Sequence, residues 1–200
     1  IPQADQYVRS GRWAQAPFPL QRKLTGARLG LVGMGRIAKA IAHRAEAFQM
    51  RIAYTARGPK ADLAYDFVPT VKELAARSDF LLAITPGGAG TQGLINAEVL
   101  QALGPRGFFI NIARGSVADQ PALIQALQNG TIAGAALDVF YDEPRIDPAF
   151  FTLPNVVLTP HMASGTFETR RAMADRLLDN LAAGLNQQRM PSAVPECQHL

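Results

Sequence analysis

Strand-like and helix-like segments alternate along most of this 200-residue chain. Apolar runs predict strands at 28–32, 51–55, 79–84, 107–112, 132–139 and 155–159, with a short extra strand near 65–68. Segments with helical spacing lie between them, as expected for crossover helices that connect strands running in the same direction. The alternation therefore predicts a doubly wound α/β domain built around a parallel sheet.

Three of the helical segments have clear sequence patterns. In the first, apolar residues at helical spacing are Ile37, Ile41, Ala45 and Phe48. Asp119 opens the second helix, and Pro121 stands in its first turn. The third covers residues 166–186, and its apolar side consists of Met173, Leu177, Leu181 and Leu185.

The composition restricts the classes of function. No apolar run approaches the roughly 20 residues that span a bilayer, so we expect no membrane partner and a cytoplasmic location. The net charge of +4 comes from scattered basic residues, so we expect no nucleic-acid partner. The single cysteine, Cys197, offers neither a disulfide framework nor a metal cluster, and we expect no metal.

The segment GLVGMGRIA, residues 30–38, places glycines at the end of the first predicted strand and the start of a helix. Gly33 permits a tight turn, and Gly35 lets the backbone approach a pyrophosphate that would lie on the N–H groups of the helix. The third position of this fingerprint is Ala38, still small enough for close packing. Because the glycines have this context, they predict a Rossmann dinucleotide-binding site.

Reactive side chains follow three successive predicted strands, at the sheet edge where α/β domains bind ligands. Arg114 can offer two parallel donors to a carboxylate. Asp138 and Glu143 follow the next strand, and His161 follows the last; histidine is the side chain that most often transfers protons near neutral pH. Taken singly, Arg114 could form a surface ion pair and His161 could cap backbone groups. Their positions at successive strand ends favour an active site.

These motifs resemble those of the D-isomer-specific 2-hydroxyacid dehydrogenases. The resemblance rests on GRW, GLVGMGRIA, INIARGSVAD, AGAALDVFYDEP and NVVLTPH. The segment HMASGTFETRRAMAD is most similar to the glyoxylate, hydroxypyruvate and hydroxyphenylpyruvate reductase branch. The resemblance implies reduction of a small 2-oxoacid to the D-2-hydroxyacid with a nicotinamide dinucleotide. It also implies a homodimer joined through the cofactor domain.

The resemblance implies a role for each site residue. Arg114 would hold the substrate carboxylate and carbonyl, His161 would protonate the developing alkoxide, and Glu143 would orient the imidazole and keep it protonated. Asp138 would contact the nicotinamide carboxamide. The implied cofactor-binding residues are Gly33, Gly35, Arg36, Ile37, Thr55, Ala56, Arg57, Thr85, Pro86, Ile112, Ala113, Arg114, Asp138 and His161.

The resemblance also implies a division of the chain. Residues 1–19 would be a remnant of a separate substrate domain and a linker, and residues 20–165 would be the dinucleotide-binding domain. Residues 166–200 would form a C-terminal helix and a tail that return toward the substrate domain. Nothing in the chain corresponds to the main segment of that second domain. We therefore expect the chain alone to bind cofactor better than it turns over substrate.

The end of the second predicted strand lacks the acidic residue that usually binds the adenosine ribose. Ala56 takes its position and leaves no charge to repel a 2′-phosphate. Arg57 can pair with that phosphate, with the Thr55 hydroxyl and Lys60 as further donors. The pattern favours NADP(H), with NAD(H) possible. The flanking acids are Asp62 and Glu46, and we expect Glu46 to be buried in the preceding helix.

Three alternatives remain open at this point. Arg57 could stack on the adenine ring, which would not discriminate between cofactors. The chain could belong to an NAD-dependent relative such as a phosphoglycerate or formate dehydrogenase, although formate dehydrogenases are expected to carry glutamine where Glu143 stands. It could also be a nucleotide-sensing protein like the corepressors of this family, which keep the same catalytic residues.

Overall fold

The computed structural model describes residues 1–194, so Cys197 lies outside the described residues. The chain divides into two units, Ile1–Pro160 and His161–Leu200. Among the described helices, none is long and apolar enough to cross a membrane.

The first unit is built on a seven-stranded sheet in which all neighbouring strands run parallel. The strands are β1 (Arg28–Val32), β2 (Arg51–Thr55), β3 (Asp66–Phe67), β4 (Phe80–Ala83), β5 (Phe108–Asn111), β6 (Gly134–Leu137) and β7 (Val156–Leu158). Their spatial order is β3-β2-β1-β4-β5-β6-β7, so the sheet grows outward from β1 in both directions. This order confirms the doubly wound α/β fold, and β3 confirms the short extra strand.

The described helices are α1 (Pro2–Arg9), α2 (Arg36–Ala47), α3 (Val71–Ala76), α4 (Ala97–Leu103), α5 (Gln120–Gln128) and α6 (Phe167–Leu185). The start of α5 confirms its sequence prediction, because the Asp119 side chain accepts a hydrogen bond from the backbone N–H of Ala122. Helix α1 was not predicted. It contacts the loop before β7 through the Gln3 side-chain amide, which donates to the Pro154 carbonyl at 2.7 Å.

Both faces of the sheet are covered by helices, as a parallel sheet requires. Leu29 and Leu31 of β1 belong to an apolar cluster that includes the buried alanines of α2. Val32 belongs to a second cluster, with Leu74 of α3 and Leu100 of α4. Successive strand residues point to opposite faces, which explains why β1 contributes to both clusters. Each large buried apolar side chain contributes roughly 1.5–3 kcal/mol of transfer free energy.

The buried face of α2 differs from the predicted apolar pattern. Ile37 and Phe48 are 62% and 55% exposed. Ala45 is buried as the pattern indicates, and the other buried residues of α2 are Ala38 and Ala42, which lie outside that pattern. The fully buried contacts of the helix with the sheet are thus made by methyl groups, and Ile41 packs at their side, partly buried. The prediction that Ala38 is small enough for close packing is thus confirmed, because Ala38 is fully buried.

A buried carboxylate with two partly exposed arginine partners stabilises the amino end of the sheet. The Asp79 carboxylate is 7% exposed and accepts hydrogen bonds from the Arg28 guanidinium at 2.7 Å and the Arg28 backbone N–H at 2.8 Å. The Arg22 guanidinium lies 2.7 Å from the same carboxylate. The hydrogen bond from Arg28 is the main reason that the pKa of Asp79 lies below its usual value. These contacts tie the segment before β1 to the start of β4.

The second unit contains α6 and the residues that follow it. The Thr166 side chain caps the helix by accepting a hydrogen bond from the Thr169 backbone N–H, and Leu185 is its last residue. The predicted helix over 166–186 is thus confirmed. No residue of α6 is buried. After the helix, the Ser192 backbone N–H donates to the Asn180 side chain at 3.0 Å.

Candidate cofactor and active site

The turn after β1 has a backbone that only glycine adopts readily. Gly33 has a φ of +102°, and a Cβ there would lie 2.9 Å from the Ile84 carbonyl oxygen. The Gly33 N–H donates to the Thr55 carbonyl at 2.9 Å, which joins the turn to the end of β2. The tight turn predicted at Gly33 is therefore present.

The amino end of α2 is open to an anionic group. Gly35 occupies the cap position, no side chain bonds to the free N–H groups there, and the first turn carries no acidic residue. A Cβ at Gly35 would meet no atom within 4 Å, so there is open space in front of the helix. The helix dipole and these N–H groups fit the pyrophosphate of a dinucleotide.

A cleft of about 710 Å³ lies at this end of β1, β2 and β4. This volume falls within the range of small-molecule sites. The Thr85 hydroxyl in its lining is buried and has no hydrogen-bond partner among the described residues, which leaves a polar group for a ligand. Predicted cofactor residues that line the cleft are Gly33, Gly35, Thr55, Ala56, Arg57, Thr85 and Pro86.

The remaining predicted cofactor residues do not line this cleft. Arg36 and Ile37 form the first turn of α2 and are exposed. Ile112 and Ala113 lie in the loop after β5, where Ala113 is buried.

Arg57 lies in the lining of the cleft, and no acidic side chain among the described residues pairs with its charge. Its side chain is exposed, and it makes no hydrogen bond or ion pair with any described residue. Ala56 beside it is half-buried. The Thr55 residue is 6% exposed, and its hydroxyl already donates to the Pro69 carbonyl at 3.4 Å. Arg57 is therefore better placed than Thr55 to meet a bound anion.

The two acids that flank this segment are both engaged elsewhere. The prediction that Glu46 is buried is wrong, because it lies on the solvent side of α2 and accepts a hydrogen bond from the Tyr65 hydroxyl at 2.9 Å. Asp62 pairs with Lys39 of α2 at 2.5 Å. The hydrogen bond from Lys39 is the main cause of the lowered pKa of Asp62. Neither carboxylate pairs with Arg57.

Asn111 shapes the loop that carries Arg114. It is the last residue of β5 and is 2% exposed. Its side-chain oxygen accepts from the Ala113 N–H at 3.1 Å, and its side-chain nitrogen donates to the Arg114 carbonyl at 3.1 Å. A buried amide with both ends bonded to one loop fixes the path of that loop. Sequence reasoning missed this role, although Asn111 stands within the INIARG motif.

Arg114 lies at the carboxyl edge of the sheet and is exposed. Its guanidinium donates to the Ala113 carbonyl at 2.6 Å and pairs with no carboxylate among the described residues. Its aliphatic stem lies against Gly87, where a Cβ would come within 2.9 Å of the Arg114 Cγ. Since Gly87 lines the cleft, Arg114 adjoins the predicted cofactor site. Among the described residues, Arg114 therefore does not form the surface ion pair that was its alternative role.

The loop after β6 packs directly on the Arg114 loop. A Cβ at Gly115 would lie 1.9 Å from the carbonyl carbon of Phe140, so glycine is required at this contact. The Phe140 N–H donates to the Glu143 carboxylate at 2.9 Å. The sheet thus brings the loops of Arg114 and Glu143 together. The importance of Gly115 was not predicted, because its neighbour is distant in sequence.

Asp138 is a buried carboxylate that is 8% exposed. It accepts a hydrogen bond from the Thr159 hydroxyl at 2.6 Å, and its own backbone N–H donates to the Asn111 carbonyl at 3.0 Å. Sequence reasoning missed this role of Thr159, although the residue stands within the NVVLTPH motif. Its hydroxyl follows β7 and fixes the Asp138 side chain across the ends of two neighbouring strands.

His161 is the first residue of the second unit. It is exposed and has a φ of +50°, in the left-handed region that residues other than glycine seldom adopt. Within residues 1–194, no three His, Cys, Asp or Glu side chains are grouped so that they could hold a metal ion.

The sheet order, the glycine turn and the open end of α2 define a Rossmann-type dinucleotide-binding domain. The chain belongs to the D-isomer-specific 2-hydroxyacid dehydrogenase family, because residues 1–163 match the model of that family's NAD-binding domain.

Two curated relatives are similar over most of this chain. A glyoxylate/hydroxypyruvate reductase from Arabidopsis thaliana is 49% identical over 181 residues, which is 90% of this chain and 58% of the relative. A hydroxyphenylpyruvate reductase from Plectranthus scutellarioides is 47% identical over 183 residues, and the match covers 92% of this chain and 58% of the relative.

One solved structure superposes closely. It is an NADPH-dependent glyoxylate/hydroxypyruvate reductase from Sinorhizobium meliloti in complex with NADP and malonate. It shares 48% identity with a TM-score of 0.91, and the match covers 98% of this chain and 62% of that one. The chain thus spans less than two thirds of the length of these relatives.

Proposed function

We propose that this chain is the cofactor-binding domain of an NADPH-preferring reductase that converts glyoxylate or hydroxypyruvate to the D-2-hydroxyacid. The observation that carries the proposal is Arg114, a cation without a carboxylate partner in the described chain, beside the cleft. A small anionic substrate supplies the missing partner. The relatives named above support the choice of substrates, since they are glyoxylate, hydroxypyruvate and hydroxyphenylpyruvate reductases.

The proposed roles of the side chains follow from their chemistry and from the family. Arg114 binds the carboxylate of the 2-oxoacid in a two-point contact and polarises its carbonyl. His161 gives its proton to the carbonyl oxygen as that oxygen becomes an alkoxide. Glu143 favours the protonated imidazole and orients it, and Asp138 holds the carboxamide of the nicotinamide. When bound, the reduced nicotinamide supplies the hydride.

The proposed preference for NADPH rests on Arg57. The end of β2 carries Ala56 and Arg57 in place of an acid, and the nearby Asp62 is already paired with Lys39. An unpaired guanidinium at the mouth of the cleft favours a nucleotide with a 2′-phosphate. The Sinorhizobium meliloti reductase, whose structure contains NADP, supports the same preference.

The substrate proposal is tested by steady-state kinetics of the full-length protein with a panel of 2-oxoacids. We expect Arg114→Ala to lower kcat/KM by about 100-fold, because a charge-assisted contact to the substrate is lost. The matched control is Arg51→Ala, which should not change turnover. Arg51 is also an exposed arginine, but it begins β2 and so lies at the opposite edge of the sheet from Arg114. Full activity of Arg114→Ala would contradict the assignment. Nucleotide-dependent oligomerisation without turnover of any 2-oxoacid would instead indicate a sensor.

The cofactor proposal is tested by the dissociation constants of NADPH and NADH. The wild type should bind NADPH more tightly, and Arg57→Ala should weaken NADPH binding while leaving NADH binding unchanged. Equal affinities in the wild type would refute the preference.

We also propose a homodimer and a cytoplasmic location. The dimer rests on the family resemblance and on the large exposed side chains of Trp13 and Leu20, which are 66% and 101% exposed in the single chain. Light scattering of the full-length protein tests it.

A further inference from the structure

The phenol of Tyr54 reaches from the sheet into the loop that carries Arg57. Tyr54 is the second-to-last residue of β2 and is 1% exposed. Its hydroxyl oxygen accepts a hydrogen bond from the backbone N–H of Lys60 at 2.6 Å. A buried phenol normally finds a polar partner. Here that partner is a loop backbone group six residues further along the chain.

This loop carries two cations into the cleft lining, Arg57 and Lys60. The Arg57 side chain bonds to no described residue, so it does not hold the loop in place. In the described chain, the Tyr54 hydroxyl makes the one side-chain hydrogen bond to residues 56–60. The later part of the loop is tied separately to α2, through Asp62 with Lys39 and Tyr65 with Glu46.

The Tyr54 contact is therefore the side-chain tie that holds the segment between β2 and Lys60, on the far side of Arg57 from the strand. Without it, the segment between Ala56 and Lys60 has more conformations to lose when a nucleotide binds. Ordering a loop at the moment of binding reduces affinity, whereas a loop already in place does not carry that cost. This gain in affinity applies only to a ligand that binds the charged side chains of Arg57 and Lys60.

Building on the proposed NADPH preference, we propose that Tyr54 is a positioning residue for cofactor discrimination. Its hydroxyl holds the backbone of Lys60, and thereby sets Arg57 and Lys60 where they meet the 2′-phosphate of the adenosine ribose. NADH carries no such phosphate, so its affinity does not depend on the Tyr54 hydroxyl.

The test is Tyr54→Phe in the full-length protein, with the dissociation constants of NADPH and NADH measured by fluorescence titration. Phenylalanine keeps the ring that packs on Phe67, whose centroid lies 5.6 Å away. We expect the dissociation constant of NADPH to rise about fivefold, the factor that corresponds to the net contribution of one hydrogen bond. The dissociation constant of NADH should stay the same.

The matched control is Tyr65→Phe. It also removes a tyrosine hydroxyl that holds this loop, but the contact it breaks is the one with Glu46, further from Arg57. This variant should keep the wild-type ratio of the two dissociation constants. A second check is Tyr54→Phe in an Arg57→Ala/Lys60→Ala background, where it should have no further effect because the charges it positions are gone.

The possible results separate the two proposals. A wild type without preference for NADPH refutes the proposed cofactor choice and the role of Tyr54 with it. A clear wild-type preference that Tyr54→Phe leaves unchanged refutes the role of Tyr54 alone. An equal loss of NADPH and NADH affinity also refutes it, because a merely structural tyrosine would affect both cofactors.

Discussion

Gly115 lies directly against the backbone of Phe140, and an added Cβ would come within 1.9 Å of the Phe140 carbonyl oxygen. Gly115 follows Arg114 in the loop after β5, and the Phe140 N–H bonds to Glu143 in the loop after β6. This one contact therefore sets the spacing between the loops that carry two proposed catalytic residues.

Replacement of this glycine tests the contact. Gly115→Ala should destabilise the protein by about 3 kcal/mol, because the clash is with backbone and no change of rotamer relieves it. Folded enzyme should also lose kcat/KM for 2-oxoacids as the two loops move apart. Thermal unfolding and kinetics measure the two effects. Gly184→Ala, where an added Cβ meets nothing within 4 Å, is the control and should not destabilise.

The Asn111 side chain should be needed for the placement of Arg114. Asn111→Ala removes both hydrogen bonds to the Arg114 loop, so kcat/KM should fall by about tenfold or more as the guanidinium is misplaced. The NADPH dissociation constant should change less than kcat/KM, because no residue of this loop lines the cleft. Asn129→Ala, at the exposed end of α5, should have no effect. Wild-type turnover of Asn111→Ala would contradict a positioning role.

Gly30 should matter for packing and not for the cofactor. A Cβ at Gly30 would lie 2.1 Å from the Ser78 hydroxyl, and this residue does not line the cleft. Gly30→Ala should cost about 1–3 kcal/mol of stability. Ser78→Ala removes the clashing oxygen, so the double variant should lose less stability than the sum of the single ones, as a double-mutant cycle in urea would measure. Strict additivity would contradict the predicted clash.

The Asp79 ion pair should make the free energy of unfolding decrease at low pH. Its lowered pKa means that the contribution is fully present above the unfolded-state pKa, about 3.9, and is lost as the pH falls toward the folded-state pKa. Asp79→Asn should reduce stability at pH 7 by about 1–3 kcal/mol, since charge-assisted hydrogen bonds to a buried carboxylate are lost while the arginines stay partly in contact with solvent. Between pH 5 and 3 (about one unit on either side of that pKa) the variant should lose less stability than the wild type. Urea unfolding across pH measures both.

An exposed pair offers the control for this prediction. Glu98 also has a lowered pKa, caused mainly by the hydrogen bond from Lys72. Its side chain and that of Lys72 are 71% and 61% exposed, so solvent screens the interaction. Glu98→Gln should leave stability at pH 7 nearly unchanged. Equal effects of the two substitutions would show that burial of Asp79 does not matter.

Much of the fold could be predicted because its signals are local. The strand runs, the cap at Asp119 and the glycine turn at Gly33 depend on residues close together in sequence. The extent of α6 followed from the same kind of pattern. Burial was harder to predict, as Glu46 and Ile37 illustrate. Both are exposed on α2, because the helix approaches the sheet through its alanines.

The sequence by itself determined the order of strands and helices, the glycine turn and the absence of an acid after β2, because each depends on neighbouring residues. Only the tertiary structure decided which groups meet across the carboxyl edge of the sheet. The contact of Gly115 with Phe140, the Thr159 bond to Asp138 and the Tyr54 bond to Lys60 depend on packing at distances that periodicity does not encode. Such contacts arise when separate strands end side by side, so their partners emerge only once the sheet is assembled.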